Sequence, residues 1–204
     1  MSKSPARKPA RDEGFTLLEV LVAIFVLTVG VVSVAALAAT MMATGNRSKY
    51  MSLQASLASE KLEDLNHWGP SEPQVTVPVG SSSIGSLSSD VLDATSGLAY
   101  YDDVSINFSD STTNCPGSTS GCMAETVASE SGGTTTYTTI YHSPDGRITQ
   151  SSATTAPSNM TFHRRWVIEA NAPVTGVRRI TVQVTPETTG PQNNATFQMS
   201  LVRP

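Results

Sequence analysis

The chain has 204 residues, of which 39% are hydrophobic, 6% aromatic and 15% charged. Two cysteines are too few for a disulfide-dense scaffold or a four-cysteine zinc site. The formal net charge of −4 argues against general binding of nucleic acids or other polyanions. These averages hide a sharp difference in composition between the first third of the chain and the remainder.

A short basic segment precedes a long apolar one. Residues 1–14 contain four basic side chains, and residues 20–42 contain no charged side chain. About 20 apolar residues in a helix cross a bilayer core about 30 Å thick. The stretch is too long for a secretory signal, whose apolar region has about 7–15 residues, and too uniformly apolar for a soluble core helix. Because basic residues favour the cytoplasmic side, we predict a single membrane span with a cytoplasmic N-terminus.

Glu19 is the only charged residue between Phe15 and Asn46. An ionisable group within lipid costs a few kcal/mol unless it finds a partner. Two explanations stay open at this point. The side chain reaches the headgroup boundary, or it pairs with a cation that another chain supplies.

The segment Gly14–Ile24 reads GFTLLEVLVAI and, together with its basic leader, resembles the N-terminal signal of type IV prepilins and type II secretion pseudopilins. The resemblance implies that a membrane prepilin peptidase cleaves between Gly14 and Phe15 and N-methylates Phe15. It also implies that Glu19 acts in assembly. The new cationic amine on Phe15 could be neutralised by Glu19 of a neighbouring subunit in a low-dielectric helix bundle, which would fix the axial register.

Within this family the chain is most similar to the PilV-type minor pilins. The similarity lies in Leu53–Asn66 and in Arg164-Arg165-Trp166 followed by the segment 179–184. It implies a minor pilin whose partners are the prepilin peptidase, other pilins of a helical filament, the inner-membrane assembly platform and membrane lipid. The external part would lie in the periplasm and then at the cell surface.

Three other interpretations remain. One is a type II secretion pseudopilin. The second, from another class, is a DNA-binding or adhesive pilin, and the third is an uncleaved single-pass anchor with an unrelated external domain.

The helical pattern continues past the apolar segment. An apolar stripe recurs at helical spacing, and Gly69-Pro70 is a stop signal, so we predict one helix over 15–67. The stripe consists of Met51, Ala55, Ala58, Leu62 and Leu65. The predicted organisation is a leader (1–14), a membrane and polymerisation helix (15–45), the second half of the helix (46–68) and a periplasmic region (69–204).

The external region predicts an antiparallel sheet. Residues 70–160 are rich in Ser, Thr and Gly, which favours long loops with sparse strands at 104–108, 134–142 and 147–151. Alternating apolar residues predict a clearer meander at 162–168, 180–185 and 195–201, with Arg164 on the apolar face of its strand. The expected fold class is α+β: a pilin-like long N-terminal helix packed on a small antiparallel sheet.

Cys115 and Cys122 are separated by six residues. If the region is periplasmic, as the resemblance implies, the pair is a candidate disulfide. The alternative is a redox or metal-binding pair, for which no nearby histidine supplies a further ligand.

Charge is unevenly distributed along the external region. Residues 62–146 contain eleven acidic and no basic residues, whereas residues 147–204 contain six arginines. Intramolecular pairing, contact between subunits and a DNA-contacting strip are the three explanations. The strip would consist of Arg164, Arg165, Arg178 and Arg179. Nucleic acid is not an expected partner, because the chain from Phe15 onward has 9 basic and 15 acidic residues.

No pattern predicts an enzyme. The three histidines lack ligand spacing, and nucleotide-binding fingerprints are missing, so we expect no catalytic residues, no cofactor and no metal. Asp102 and Asp103 are expected in a loop, either as solvated residues or as part of a calcium loop like that of some pseudopilins.

Overall fold

The computed structural model of the chain describes residues 16–93, 95–107, 115, 121–158, 160–187 and 196–204. These residues form one α-helix, α1 (Leu17–His67), and nine β-strands. The strands are β1 (Ser83–Gly85), β2 (Leu92–Asp93), β3 (Leu98–Asn107), β4 (Cys122–Ser131), β5 (Thr134–His142), β6 (Ile148–Ala153), β7 (Phe162–Ala170), β8 (Arg178–Pro186) and β9 (Phe197–Arg203). The chain divides into two compact units, Met1–Gly45 and Asn46–Pro204.

The first unit contains the apolar half of α1. Its large side chains are exposed, as for Leu17 at 82% and Val32 at 68%. Its hydroxyl groups are satisfied inside the helix: Thr28 donates to the carbonyl of Phe25 and Ser33 to that of Val29, both at 2.8 Å. These hydroxyl groups therefore have hydrogen-bond partners without water.

The second unit is a helix on an antiparallel sheet, which confirms the predicted α+β class. The strand order is β6-β5-β4-β3-β7-β8-β9, with β1 paired to β7 and β2 paired to β3, all antiparallel. The helix ends at His67, directly before the predicted Gly69-Pro70 stop. Leu57, Ala58, Leu62 and Leu65 are buried against the inner face of the sheet, where Ile168, Ile180, Val182 and Val184 are fully buried.

The sheet is larger than predicted, because residues 70–160 also contain β1, β2 and β4, and β3 begins six residues before the strand predicted at 104–108. β4 has no strong apolar pattern: its buried positions are Cys122, Ala124, Thr126 and Ala128. Small side chains at every second position suffice for burial on a pleated strand, but they carry little hydrophobic signal. Phe108 and Ala195, at the ends of two predicted strands, lie outside the described residues.

The buried stripe of α1 is also rotated from the predicted one. Met51 and Ala55 are only half-buried, whereas Gln54 and Lys61 are buried. A search for apolar periodicity does not detect polar residues on the sheet-facing side of the helix. Their burial indicates that the helix–sheet contact includes polar partners.

Gly85, at the end of β1, is a position where the fold requires glycine. Its φ is +82°, and an added Cβ would lie 2.2 Å from the carbonyl oxygen of Trp166. Gly80 has a similar φ of +89° but open space around it.

We expect Gly80→Ala to lower the free energy of unfolding by roughly 1–2 kcal/mol, because alanine strains the left-handed backbone. Gly85→Ala should lower it by about 1–3 kcal/mol more, because the Trp166 backbone must also move. Urea unfolding of the full-length chain in detergent micelles measures both values. Equal unfolding midpoints for the two variants would show that the close approach does not matter.

Candidate functional site

The described part of α1 begins close to the predicted processing site. Gly14 and Phe15 lie outside the described residues. Thr16 precedes the helix, and the backbone N–H of Glu19 donates to its hydroxyl at 3.3 Å and to its carbonyl at 3.0 Å. A threonine followed three residues later by glutamate is the capping-box pattern at a helix N-terminus. Thr16 therefore caps α1, and the Glu19 carboxylate lies in the first turn, where the helix dipole favours a negative charge.

The helix that follows is long and apolar enough to cross a membrane. Its most apolar 18-residue window has a mean hydropathy of 2.9, and none of that window is buried within the chain. A contiguous apolar surface of this kind marks a membrane or protein contact. Glu19 forms no ion pair with another described residue.

A buried charge cluster joins the second half of α1 to the sheet. Arg164 on β7 binds the fully buried Asp102 on β3 through two hydrogen bonds, Nε to Oδ1 at 2.6 Å and Nη2 to Oδ2 at 2.9 Å. Lys61 of the helix lies 2.9 Å from Asp102 Oδ2. Glu125 on β4 contacts Lys61 at 3.1 Å and Arg164 at 2.8 Å through Oε1. Arg164 also donates to the carbonyl of Leu57 at 3.3 Å.

The electrostatics of the cluster favour the charged forms of Asp102 and Lys61. Burial by itself would raise the pKa of Asp102, but the charges of Arg164 and Lys61 outweigh it and hold that pKa well below its usual range. Burial would likewise lower the pKa of Lys61, but Asp102 and Glu125 raise it. The pKa of Glu125 is raised, mainly by burial. Asp102 is thus the carboxylate that the two buried cations, Arg164 and Lys61, hold in its charged form.

The sequence contained one signal for this cluster. The period-2 pattern placed Arg164 on the same face as Phe162, Trp166 and Ile168, and all four are buried. A charged residue on an apolar strand face requires a buried partner. The sequence does not identify the partners, since Asp102 is 62 residues from Arg164 and no spacing connects the two.

Asp102 and Asp103 were wrongly predicted as loop residues. Both lie on β3, where successive side chains point to opposite faces of the sheet. Asp102 faces the helix, and Asp103 pairs with His163 on the outer face. The calcium-loop interpretation is wrong, because carboxylates on opposite faces of the sheet cannot bind one ion. The solvated-loop interpretation is wrong, because both residues lie on a strand and Asp102 is fully buried.

The four arginines of the predicted basic strip are divided between the two faces of the sheet. Arg164 and Arg178 belong to the inner face, because each is two residues from a buried inner position; Arg165 and Arg179 belong to the outer face. Arg165 binds Asp90 at 2.7 Å, Arg178 donates to the Val75 carbonyl and Arg179 binds Glu169 through two bonds. The prediction of one phosphate-binding strip is therefore corrected: adjacent strand residues cannot line one surface, and intramolecular pairing accounts for these charges.

The cysteine pair lies beside the sheet. Cys115 and Cys122 are joined as a disulfide, with a Cα–Cα distance of 5.6 Å. Both residues are buried, and Cys122 is the first residue of β4. The bridge ties the chain before β4 to the beginning of that strand.

Comparison with known proteins supports the N-terminal features and nothing beyond them. A family model described as the prokaryotic N-terminal methylation motif matches residues 9–35. The match supports a type IV pilin-like or pseudopilin-like protein, with processing by a prepilin peptidase, membrane anchoring and assembly with other pilins in general. It suggests a structural subunit and not an enzyme. No curated protein and no solved structure gives a significant match.

The buried cluster predicts a large difference between two arginines of the sheet. We expect Arg164→Met to destabilise the folded second unit by about 3–5 kcal/mol, because Asp102 is left buried with only Lys61 to balance it alongside Glu125. Arg179→Met removes a partly exposed pair on the outer face and should shift the unfolding midpoint much less. Urea unfolding of the full-length chain in detergent, followed by near-ultraviolet circular dichroism, compares the two. A small shift for Arg164→Met would contradict the assigned role of the cluster.

Proposed function

We propose that the chain is a minor pilin subunit of a type IV pilus, most similar to the PilV type. The observation that carries the proposal is the methylation motif over residues 9–35, which continues into an exposed apolar helix. The α+β layout of the second unit supports it, since a helix packed on an antiparallel sheet is the plan expected of pilins.

Processing would occur at the junction between leader and helix. The prepilin peptidase cleaves the Gly14–Phe15 bond and then N-methylates the new amine of Phe15. Glycine offers no side chain to obstruct the approach of a peptidase to the scissile bond. N-methylation keeps the nitrogen basic, so the amine can still carry a positive charge.

Assembly would use the charge of Glu19. In a bundle of apolar helices, dispersion and packing alone do not fix the axial position of one helix against the next. The carboxylate of Glu19 and the Phe15 amine of a neighbouring subunit are both costly in lipid when unpaired. Their pairing therefore favours a single register, in which each subunit is displaced along the filament by a fixed step.

The proposed topology follows from the charges around the apolar segment. The leader (1–14) lies in the cytoplasm, residues 15–45 cross the inner membrane, and residues 46–68 continue the helix into the periplasm. Residues 69–204 form the periplasmic region, which reaches the cell surface when the subunit enters a filament. The partners are the prepilin peptidase, other pilins and the inner-membrane assembly platform.

A type II secretion pseudopilin is the alternative within the same class. Both would be processed at the same bond and would use the same helix. Fibres sheared from cells separate them: a minor pilin co-purifies with the surface filament, whereas a pseudopilin remains with the envelope and with the secretin of its secretion system.

Processing can be tested at the N-terminus of the mature protein. Protein isolated from membranes of cells with the peptidase should start at Phe15 and carry one added methyl group. Protein from cells that lack the peptidase should retain residues 1–14. Intact-mass measurement and N-terminal sequencing distinguish these forms. A chain that keeps its leader in the presence of the peptidase would mean that the helix is a plain anchor.

The role of Glu19 in assembly can be tested by substitution. We expect Glu19→Ala to insert into the membrane and to be cleaved, but to enter filaments at a small fraction of the wild-type level, because the Phe15 amine loses its partner. Glu63→Ala is the matched control, since Glu63 is an exposed carboxylate of the same helix outside the apolar segment. Immunoblots of sheared filaments and membranes measure both variants. Normal incorporation of Glu19→Ala would refute the charge-pairing argument.

A further inference from the structure

The outer face of the sheet brings one histidine together with three carboxylates. Asp103 on β3 and His163 on β7 are directly paired across the two strands. Glu187 follows β8 immediately, and its backbone N–H donates to the carbonyl of Thr161 at 2.9 Å. Asp90 precedes β2. Four separate segments of the chain therefore converge on the His163 ring, which is buried to more than nine-tenths.

Two of the carboxylates face one nitrogen of the ring. Nδ1 of His163 contacts Asp103 Oδ1 and lies 3.7 Å from Glu187 Oε1. One ligand atom from each of these three residues lies within 4.8 Å of the others. Ligands of a tetrahedral cation with bonds of about 2.0–2.1 Å are about 3.3 Å apart. Small side-chain movements would therefore bring all three atoms to bonding distance of a single ion.

The other nitrogen of the ring has a fixed partner. Nε2 of His163 lies 2.8 Å from Asp90 Oδ1, and that same oxygen accepts a hydrogen bond from Arg165 Nε at 2.7 Å. A carboxylate held in this way accepts the Nε2 proton. Without an ion, Nδ1 donates its own proton to Asp103. An ion that binds would displace that proton to the solvent and take the Nδ1 lone pair. A histidine that ligates a metal usually donates its second ring N–H to such a carboxylate, which fixes both tautomer and ring orientation.

The charge of the cluster also favours a cation. Asp90, Asp103 and Glu187 contribute three negative charges, and among the described residues Arg165 is the permanent cation that pairs with them. With a neutral ring the cluster carries a net charge near −2. A divalent ion would neutralise it, whereas a proton on His163 would neutralise only half of it.

We propose that Asp103, His163 and Glu187 bind a divalent transition-metal ion of the Zn²⁺ class. The ligand atoms are Nδ1 of the histidine and one oxygen of each carboxylate, and water completes the shell. Asp90 is a positioning residue that acts through the ring. An imidazole nitrogen suits Zn²⁺ and disfavours Ca²⁺, which takes six to eight oxygen ligands.

The ion would stabilise the folded second unit. It would bridge β3, β7 and the end of β8 from the face opposite to the helix. An ion that binds the folded state and not the unfolded one raises the stability in proportion to the logarithm of its concentration. The site would therefore reinforce the middle of the sheet without taking part in the processing or assembly proposed above.

The test uses the full-length chain in detergent micelles, freed of metal with EDTA and then titrated with Zn²⁺ in a calorimeter. We expect one bound ion per chain and a rise in the unfolding midpoint, neither of which Ca²⁺ should produce. Glu187→Gln should weaken Zn²⁺ binding by at least roughly tenfold. Because Glu187 is half-exposed, this variant should remain folded. His67→Gln changes an exposed histidine of the helix and is the control, with an unchanged affinity.

A spectroscopic readout separates ligation from a merely structural role. With Co²⁺ in place of Zn²⁺, the wild-type chain should give the visible absorption of a tetrahedral nitrogen–oxygen site. His163→Gln should abolish this absorption, and Asp90→Asn should weaken the affinity while the three ligands remain. Zn²⁺ binding of equal strength in the wild type and Glu187→Gln would overturn the proposal. Absence of binding at micromolar Zn²⁺ would also overturn it, and would leave His163 as an imidazolium shared by Asp103 and Asp90.

Discussion

The position of the helix on the sheet depends on Asp102, a fully buried carboxylate that binds Arg164 of the neighbouring strand and Lys61 of the helix. The apolar contacts around it supply most of the favourable free energy but little directionality, since Leu and Val side chains pack in more than one alignment. The ion pairs add less net stability, because desolvation offsets their attraction. Their effect is selective: an alignment that leaves Asp102 without both cations carries an unpaired buried charge. The bond from Arg164 to the Leu57 carbonyl fixes the helix along its own axis as well.

The same reasoning applies to the register of β3 against β7. On these two strands Asp102 and Arg164 point inward, while Asp103 and His163 point outward. A slip of one residue in either strand would exchange the faces of that strand. It would expose a buried ion pair and bring charges without partners against the core. Two adjacent polar pairs, one on each face, thus define the register twice. The alternation of apolar residues on the inner face would by itself define the register only once.

Residues with strong periodicity could be predicted from the sequence, and residues that depend on distant partners could not. The helix end at His67 follows from Gly69-Pro70, and the meander follows from Ile180, Val182 and Val184, because local chemistry determines both. β4 was missed since Ala124 and Ala128 are buried by their neighbours and not by their own hydrophobicity. The cluster around His163 was missed for a related reason. Its members come from four segments, and no spacing in the sequence connects them.

Lys61 and Glu19 are charged residues on the apolar side of the same helix, but they differ in whether a described residue pairs with them. Each is an ionisable residue beside apolar neighbours, and each is costly when it is removed from water without a partner. Lys61 finds Asp102 and Glu125 within its own chain, so the charge supports the fold of one subunit. Glu19 pairs with no other described residue, and the helix around it exposes apolar side chains throughout. Under the proposed function, the cation would be the amine that processing creates on Phe15 of another chain. The second half of the helix would then serve folding, and its first half would serve assembly.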